Sequence, residues 1–415
     1  MSAHQPRHSE VALSLPPLSL YVHMPWCVRK CPYCDFNSHA APSLLPQRAY
    51  VDALLEDLVH DLAYVQGRPL ASIFFGGGTP SLFDPEHIAR LLEGVRSLVR
   101  LPATAEVTLE ANPGTIEHGR FAGYREAGIN RVSLGAQSFH PRQLKLLGRI
   151  HEADEIHRSV HELRQSGIAN FNLDLMYALP EQAVEEAMAD LDAAIALAPT
   201  HISHYQLTLE PGTVFYHRPP PLPDVDTAWH MQERSQERLA DAGYAQYEVS
   251  AYARAGHRCE HNLNYWRFGD YLGIGAGAHG KLTLEREQAV VRTFRTKQPR
   301  SYLASSATER LEVNERVAFA DLPFEFMLNA LRLHEGIDPL SFESRTGCSW
   351  REVSSAIEHV VARGLLQIDE RGQWVPTAFG RRFLNDLQAM FLPSAALPPS
   401  GAANVQVREV AHKFS

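Results

Sequence analysis

The sequence predicts an α/β chain: an incomplete parallel β/α barrel of about six βα units, then a small α+β domain with a winged-helix-like pattern. From Leu18 to Leu207 one theme repeats six times, a short apolar strand, a turn and an amphipathic helix. That repeat is the signature of parallel strands covered by helices. Residues 314–392 instead read as three helices, a hairpin through Gly372 and a last helix around Phe379–Met390. The composition agrees. With 45% hydrophobic and 21% charged residues over 415 positions, the chain can fill more than one core, which excludes bulk disorder or a disulfide scaffold.

Strands are predicted at Leu18–His23, Leu70–Phe75, Glu106–Glu110, Arg131–Ala136, Asn170–Met176 and His201–Leu207. Helical spacing of Val51, Leu54, Leu55, Leu58, Leu62 and Val65 gives the first helix. Asp84 reads as an N-cap with Pro85 at the first helical position. Further helices are expected at Glu155–Gln165, Glu185–Ala198 and Trp229–Ala242. Six such units form either an open doubly wound sheet or an incomplete barrel, and the barrel is expected. Either way, function should collect at the carboxyl ends of the strands. The expected divisions are a disordered 1–16, the barrel at 17–218, a connecting region at 219–313 that is irregular from Tyr244 to Gly280, the C-terminal domain at 314–392 and a flexible tail at 393–415.

Charge narrows the partners. The net charge is −9, and residues 315–391 carry eight Lys and Arg against eleven Asp and Glu. Nucleic acid is therefore not an expected partner, despite the winged-helix-like pattern. No run approaches the ~18 apolar residues of a membrane span. The N-terminus lacks the pattern of a signal peptide. Five cysteines, three of them within eight residues, fit a cytoplasmic protein with reduced thiols.

Those three are Cys27, Cys31 and Cys34, spaced C-x3-C-x2-C in the loop after the first strand. Three thiolates on one short loop can hold three irons of a cubane and leave the fourth open. A zinc site using His23 or His39 is the bland alternative, but zinc ribbons bring ligand pairs from separate loops. The c-type haem attachment motif C-x-x-C-H fails here, because Asp35 stands where it needs a histidine. Gly76-Gly77-Gly78-Thr79 ends the second strand, and its backbone N–H groups could approach a ligand closely. Glu110 and Gln137 end the next two strands. Asp174 lies inside the fifth, where a carboxylate needs a partner, with Arg149 as one option.

The segment from Tyr21 to Cys27 (YVHMPWC) and on through Cys34-Asp-Phe-Asn-Ser38 resembles the radical S-adenosylmethionine superfamily. Within it, the chain is similar to the group around oxygen-independent coproporphyrinogen III oxidase, from about Leu18 to Phe391. The resemblance implies a [4Fe–4S] cluster on Cys27, Cys31 and Cys34, with S-adenosylmethionine chelating the open iron. Reductive cleavage of that cofactor yields a 5′-deoxyadenosyl radical in the superfamily. The resemblance also implies cofactor contacts at Tyr21, Gly77, Gly78, Thr79, Glu110, Gln137, Arg149 and Asp174.

Two features separate the chain from the oxidase. The oxidase motif has a further cysteine two positions after the third, where this chain has Phe36. The segment His261-Asn262-Leu263-Asn264-Tyr265-Trp266 resembles the H-N-x-x-Y-W motif of haem chaperones in the same group. This implies haem as a third cofactor, with His261 as a candidate iron ligand and Tyr265 and Trp266 stacking on the porphyrin. His257 and Cys259 are rival ligands, and a histidine bridging a turn is the structural alternative. The implied function is delivery of haem to haem-accepting proteins, respiratory enzymes at the membrane among them, with peripheral membrane contact and no coproporphyrinogen oxidase activity. The alternative is the oxidase itself, making protoporphyrinogen IX.

Overall fold

The computed structural model describes residues 11–114 and 119–393. The six expected strands form, each within two residues of its expected end: β1 (Leu18–Met24), β2 (Leu70–Gly77), β3 (Glu106–Ala111), β4 (Arg131–Gln137), β5 (Asn170–Tyr177) and β6 (His201–Gln206). Each pairs in parallel with the next. Alternation along β1 explains its placement. Leu18, Leu20, Val22 and Met24 are fully buried in the core shared with Tyr50, Val51, Leu54 and Leu58 of the helix Gln47–His60. Burying each such side chain stabilises the fold by roughly 1.5–3 kcal/mol. Ser19, Tyr21 and His23 take the other face, toward the barrel interior, where Ser19 bonds Ser72 of β2 at 2.8 Å.

The sheet is larger than the six units. The stretch expected to be irregular supplies β7 (Ala245–Gln246), β8 (Ala251–Ala253), β9 (Asp270–Ile274) and the start of β10 (His279–Leu284). β11 (Ala289–Arg295) and β12 (Leu311–Arg316) follow. The twelve strands run in the order β12-β11-β10-β9-β1-β2-β3-β4-β5-β6-β8-β7, with open ends. β9 joins β1 in parallel, and the remaining additions are antiparallel. The region 219–313 thus extends both sheet edges instead of merely connecting, and β12 carries the sheet past the boundary expected at 314.

Other expectations are corrected locally. The first helix stops at His60 and resumes at Leu62–Val65, because Asp61 turns inward to pair with Arg295 at 2.7 Å. Pro85 does open its helix, but the Asp84 carboxylate accepts from Gln47 and pairs with Arg120 instead of capping. Residues 11–16 are ordered: Leu13 is buried against the C-terminal core, and the Ser14 N–H donates to the Ser344 carbonyl. The rest of the expected N-terminal disorder, and the tail beyond Pro393, lie outside the described residues.

The C-terminal unit contains the helices Leu322–Ala330, Pro339–Thr346 and Ser354–Ala362, then the hairpin Leu366–Ile368 with Trp374–Pro376. The single last helix is two short ones, Ala378–Arg382 and Leu384–Ala389. Among the described residues no helix is long and apolar enough to cross a membrane.

Candidate cofactor site and barrel floor

The loop after β1 carries Cys27, Cys31 and Cys34, all half-buried and free of disulfides. It is anchored at both sides. Gly78 N–H donates to the Met24 carbonyl at 2.7 Å, and Thr79 N–H to the Trp26 carbonyl at 2.8 Å. Beyond the cysteines, Asn37 donates to the Ala276 and Lys297 carbonyls. A Cβ at Gly78 would stand 2.6 Å from the Trp26 carbonyl oxygen, so only glycine permits this approach.

The donor set fits an iron–sulfur cluster better than zinc. His23, one of the zinc alternatives, has Nδ1 bonded to Tyr21 at 3.0 Å and Nε2 to the Asn37 carbonyl at 2.8 Å. Among the described residues no three His, Cys, Asp or Glu side chains are spaced to hold one metal ion. A cubane does not require that convergence, since each thiolate binds a different iron.

Of the expected cofactor residues, Thr79 and Arg149 line the cleft beside this loop, together with Cys31 and Asn112. Arg149 donates to Cys31 Sγ at 3.6 Å, to the Gly135 carbonyl at 2.9 Å and to Asn112 Oδ1. It is therefore not the partner of Asp174, which accepts from Asn172 at 2.7 Å and Ser133 at 3.1 Å. Glu110 accepts from Gly77 N–H at 3.2 Å. Burial, and then the neighbouring Asp174, push its carboxyl up to about 8. Burial likewise raises Asp174. Gln137 ends β4 with a left-handed φ of 66° and accepts from Tyr205 at 2.8 Å. Such backbone in a non-glycine residue is uncommon and often marks functional sites.

One expectation about this loop is corrected. The N–H groups of Gly77, Gly78 and Thr79 are taken by Glu110, Met24 and Trp26, so they tie the loops together instead of facing a ligand. Asn112 and Tyr205 were missing from the expected set. Asn112 links Thr79 (3.0 Å) to Arg149, and its position just past the β3 end was the available signal. Tyr205 had no local signal, since its contact with Gln137 spans 68 residues.

His261 stands at the other end of the barrel. The helix Glu260–Trp266 closes the amino-terminal mouth of the strands. Glu106 of β3 accepts from the N–H groups of Glu260 (3.3 Å) and His261 (3.2 Å) and from the Cys259 thiol at 3.5 Å. A carboxylate at a helix start is well placed electrostatically. The His261 ring is buried and stacks on Phe74. Its Nδ1 pairs with Ser72 at 2.9 Å and its Nε2 with Tyr265 at 3.0 Å. Burial lowers its pKa to about 3, so the ring is neutral. The expected role as an iron ligand is thus corrected for this conformation: neither nitrogen is free. The rival Cys259 is buried, and its thiol is pushed up to about 12 by burial.

A buried chain of hydrogen bonds joins the two ends. Cys259 N–H donates to Tyr247, Tyr247 pairs with His201 Nε2, His201 Nδ1 with Asn172, and Asn172 donates to Asp174.

Residues 21–194 match the Radical SAM superfamily, and residues 320–383 match the HemN C-terminal domain. The chain is 49% identical over 380 residues to the Heme chaperone HemW of Escherichia coli, covering 92% of this chain and 99% of that one. The chain belongs to the HemW family. The Haemophilus influenzae Heme chaperone HemW is 50% identical over 91% of this chain and 98% of its own. A mouse relative, radical S-adenosyl methionine domain-containing protein 1, mitochondrial, is 36% identical over 85% of this chain and 83% of its own. The solved coproporphyrinogen III oxidase HemN from Escherichia coli superposes with a TM-score of 0.77 at 23% identity, over 92% and 91% of the two chains. That likeness establishes the shared fold of this HemW-family chain, a partial barrel with a HemN-type C-terminal domain.

Proposed function

We propose that this HemW-family chain is a cytoplasmic haem chaperone, which binds haem and passes it to haem-accepting proteins, respiratory enzymes at the membrane among them. The observation that carries this reading is the nearly full-length likeness to proteins named haem chaperones. Cys27, Cys31 and Cys34 would hold a [4Fe–4S] cluster, and the ring Tyr21, Gly77, Gly78, Thr79, Glu110, Gln137, Arg149 and Asp174 would hold S-adenosylmethionine, with Gly77, Gly78 and Thr79 contributing through groups other than their N–H donors, which are already bonded. When bound, the cluster and this cofactor together supply one-electron chemistry. The chain's own residues orient and shield that site: Arg149 places positive charge beside Cys31, and Tyr205 fixes Gln137.

The test is an anaerobic haem titration of the cluster-reconstituted protein, followed by the Soret band. Saturation at one haem per chain is expected. Absent or unsaturable binding sinks the reading and directs the next assay to coproporphyrinogen decarboxylation.

The acid face of the cofactor ring adds a pH prediction. Glu110, facing Asp174 and Tyr21, holds its proton up to about pH 8 in the folded chain, against an ordinary value of 4.5. The unfolded chain releases that proton first, so this group costs stability increasingly as pH rises from 4.5 to about 8. A sulfonium cofactor favours the charged carboxylate, so its binding should expel the proton. Affinity for S-adenosylmethionine should rise with pH by up to about tenfold per unit below pH 8 and then level off. Equilibrium dialysis across pH 6–9 would measure this, and Glu110→Gln should flatten the profile. An equally steep profile in the variant would remove Glu110 from the binding equilibrium.

A further inference from the structure

A second cleft, larger than the one beside Cys31, lies between the closing helix and the C-terminal domain. It holds about 870 Å³ of open space, against about 590 Å³ at the cluster loop. Its wall is apolar where Phe326, Ala330 and Ile337 line it, and Trp266, the last residue of the H-N-x-x-Y-W helix, adds an indole. The guanidinium of Arg332 packs 4.2 Å from the Trp266 ring and fixes its orientation.

Two buried donors on this cleft lack acceptors. Among the described residues, Arg345 Nη1 and Trp266 Nε1 have no hydrogen-bond partner. Leaving a buried donor unpaired is unfavourable, more so for a charged group. The nearby carboxylate of Asp270 cannot relieve Arg345, because Arg68 (2.7 Å) and Lys281 (2.9 Å) already hold it. Burial accordingly weakens the hold of Arg345 on its proton. Arg371 adds an exposed cation at the rim, where Arg267 is paired with Glu335 at 2.7 Å and the Asp338 carboxylate accepts from the Leu340 N–H at 3.0 Å. An apolar wall with unpaired N–H donors suits a flat apolar ligand that carries carboxylates.

Resting on the haem reading above, we propose that this cleft is where the porphyrin binds, its ring against Trp266 and the apolar wall and a propionate on Arg345. The described residues lining the cleft include no His, Cys, Met or Tyr. Recognition here is therefore of the ring and its carboxylates, not of the iron. The site uses the outer side of the closing helix, while His261 on the inner side stays in the barrel network.

The test compares haem with metal-free protoporphyrin IX, titrated into the cluster-reconstituted full chain and into its Arg345→Gln, Arg345→Lys and Trp266→Phe variants. Cluster iron content checks that each variant is folded. Wild type should bind both porphyrins with comparable affinity. Arg345→Gln should weaken both by about tenfold or more, the worth of one charge-assisted hydrogen bond, and Arg345→Lys should recover part of the loss. Trp266→Phe should weaken both as well. Haem binding that is unchanged in all variants, or that requires the iron, overturns the cleft and leaves the chaperone reading standing. No saturable binding of either porphyrin by wild type overturns both.

Discussion

Changing Cys31 to Ala is expected to leave a folded chain that cannot retain a [4Fe–4S] cluster. On the proposed reading the cysteine loop would supply three thiolates, one per iron, and losing one would leave two. The loop holds its shape by backbone bonds to Gly78 and Thr79 and by the Asn37 contacts, none of which needs Cys31. The remaining cysteines cannot substitute. Cys259 lies in the barrel floor with its thiol on Glu106, and Cys348 is buried in the C-terminal core. Burial pushes both thiols up to about 12, so neither offers a thiolate at neutral pH. Iron and sulfide analysis after anaerobic reconstitution, with circular dichroism as the folding control, measures the effect. A full iron complement in the variant would show that the cluster is not held by this loop.

The second large effect falls at the opposite end of the barrel. Glu106→Ala should destabilise the protein by about 3–5 kcal/mol, the usual cost of stranding a buried charge. Glu106 pairs with Arg131 across 3.7 Å, and the two side chains are 8% and 2% exposed. The substitution leaves that guanidinium without its carboxylate, and it strips the acceptor from the first two N–H groups of the closing helix and from Cys259. Urea denaturation should show a lower midpoint. Removing both charges, as Glu106→Leu with Arg131→Met, should recover much of the loss, because two apolar side chains leave no uncompensated ion. A shift below about 1 kcal/mol for Glu106→Ala would mean that the closing helix is held by packing alone.

The strands β1 to β6 were legible because each is a run of buried apolar residues between turn signals. β7 and β8 were not, since strands of two and three residues carry no periodicity. β9 was masked by Gly273 and by Asp270, whose charge is neutralised inside the fold by Lys281 and Arg68. The inward residues of the barrel, among them Ser72, Glu106, Arg131 and Asn172, read as interruptions in apolar strands. They are a buried polar layer, and their partners lie far away in sequence, such as His261 for Ser72 across 189 residues.

The sequence by itself determined the cysteine loop, the six parallel units and the family. Short-range spacing and apolar periodicity encode these, and both are local properties of the chain. Only the tertiary structure decided what His261 does. Its type and motif admit both an iron ligand and a core histidine, and the choice depends on whether a ring nitrogen is left without a partner. Packing against Ser72, Phe74 and Tyr265 leaves none. The same folding brought Trp266 and Arg345, far apart in the chain, to one cleft with unpaired donors.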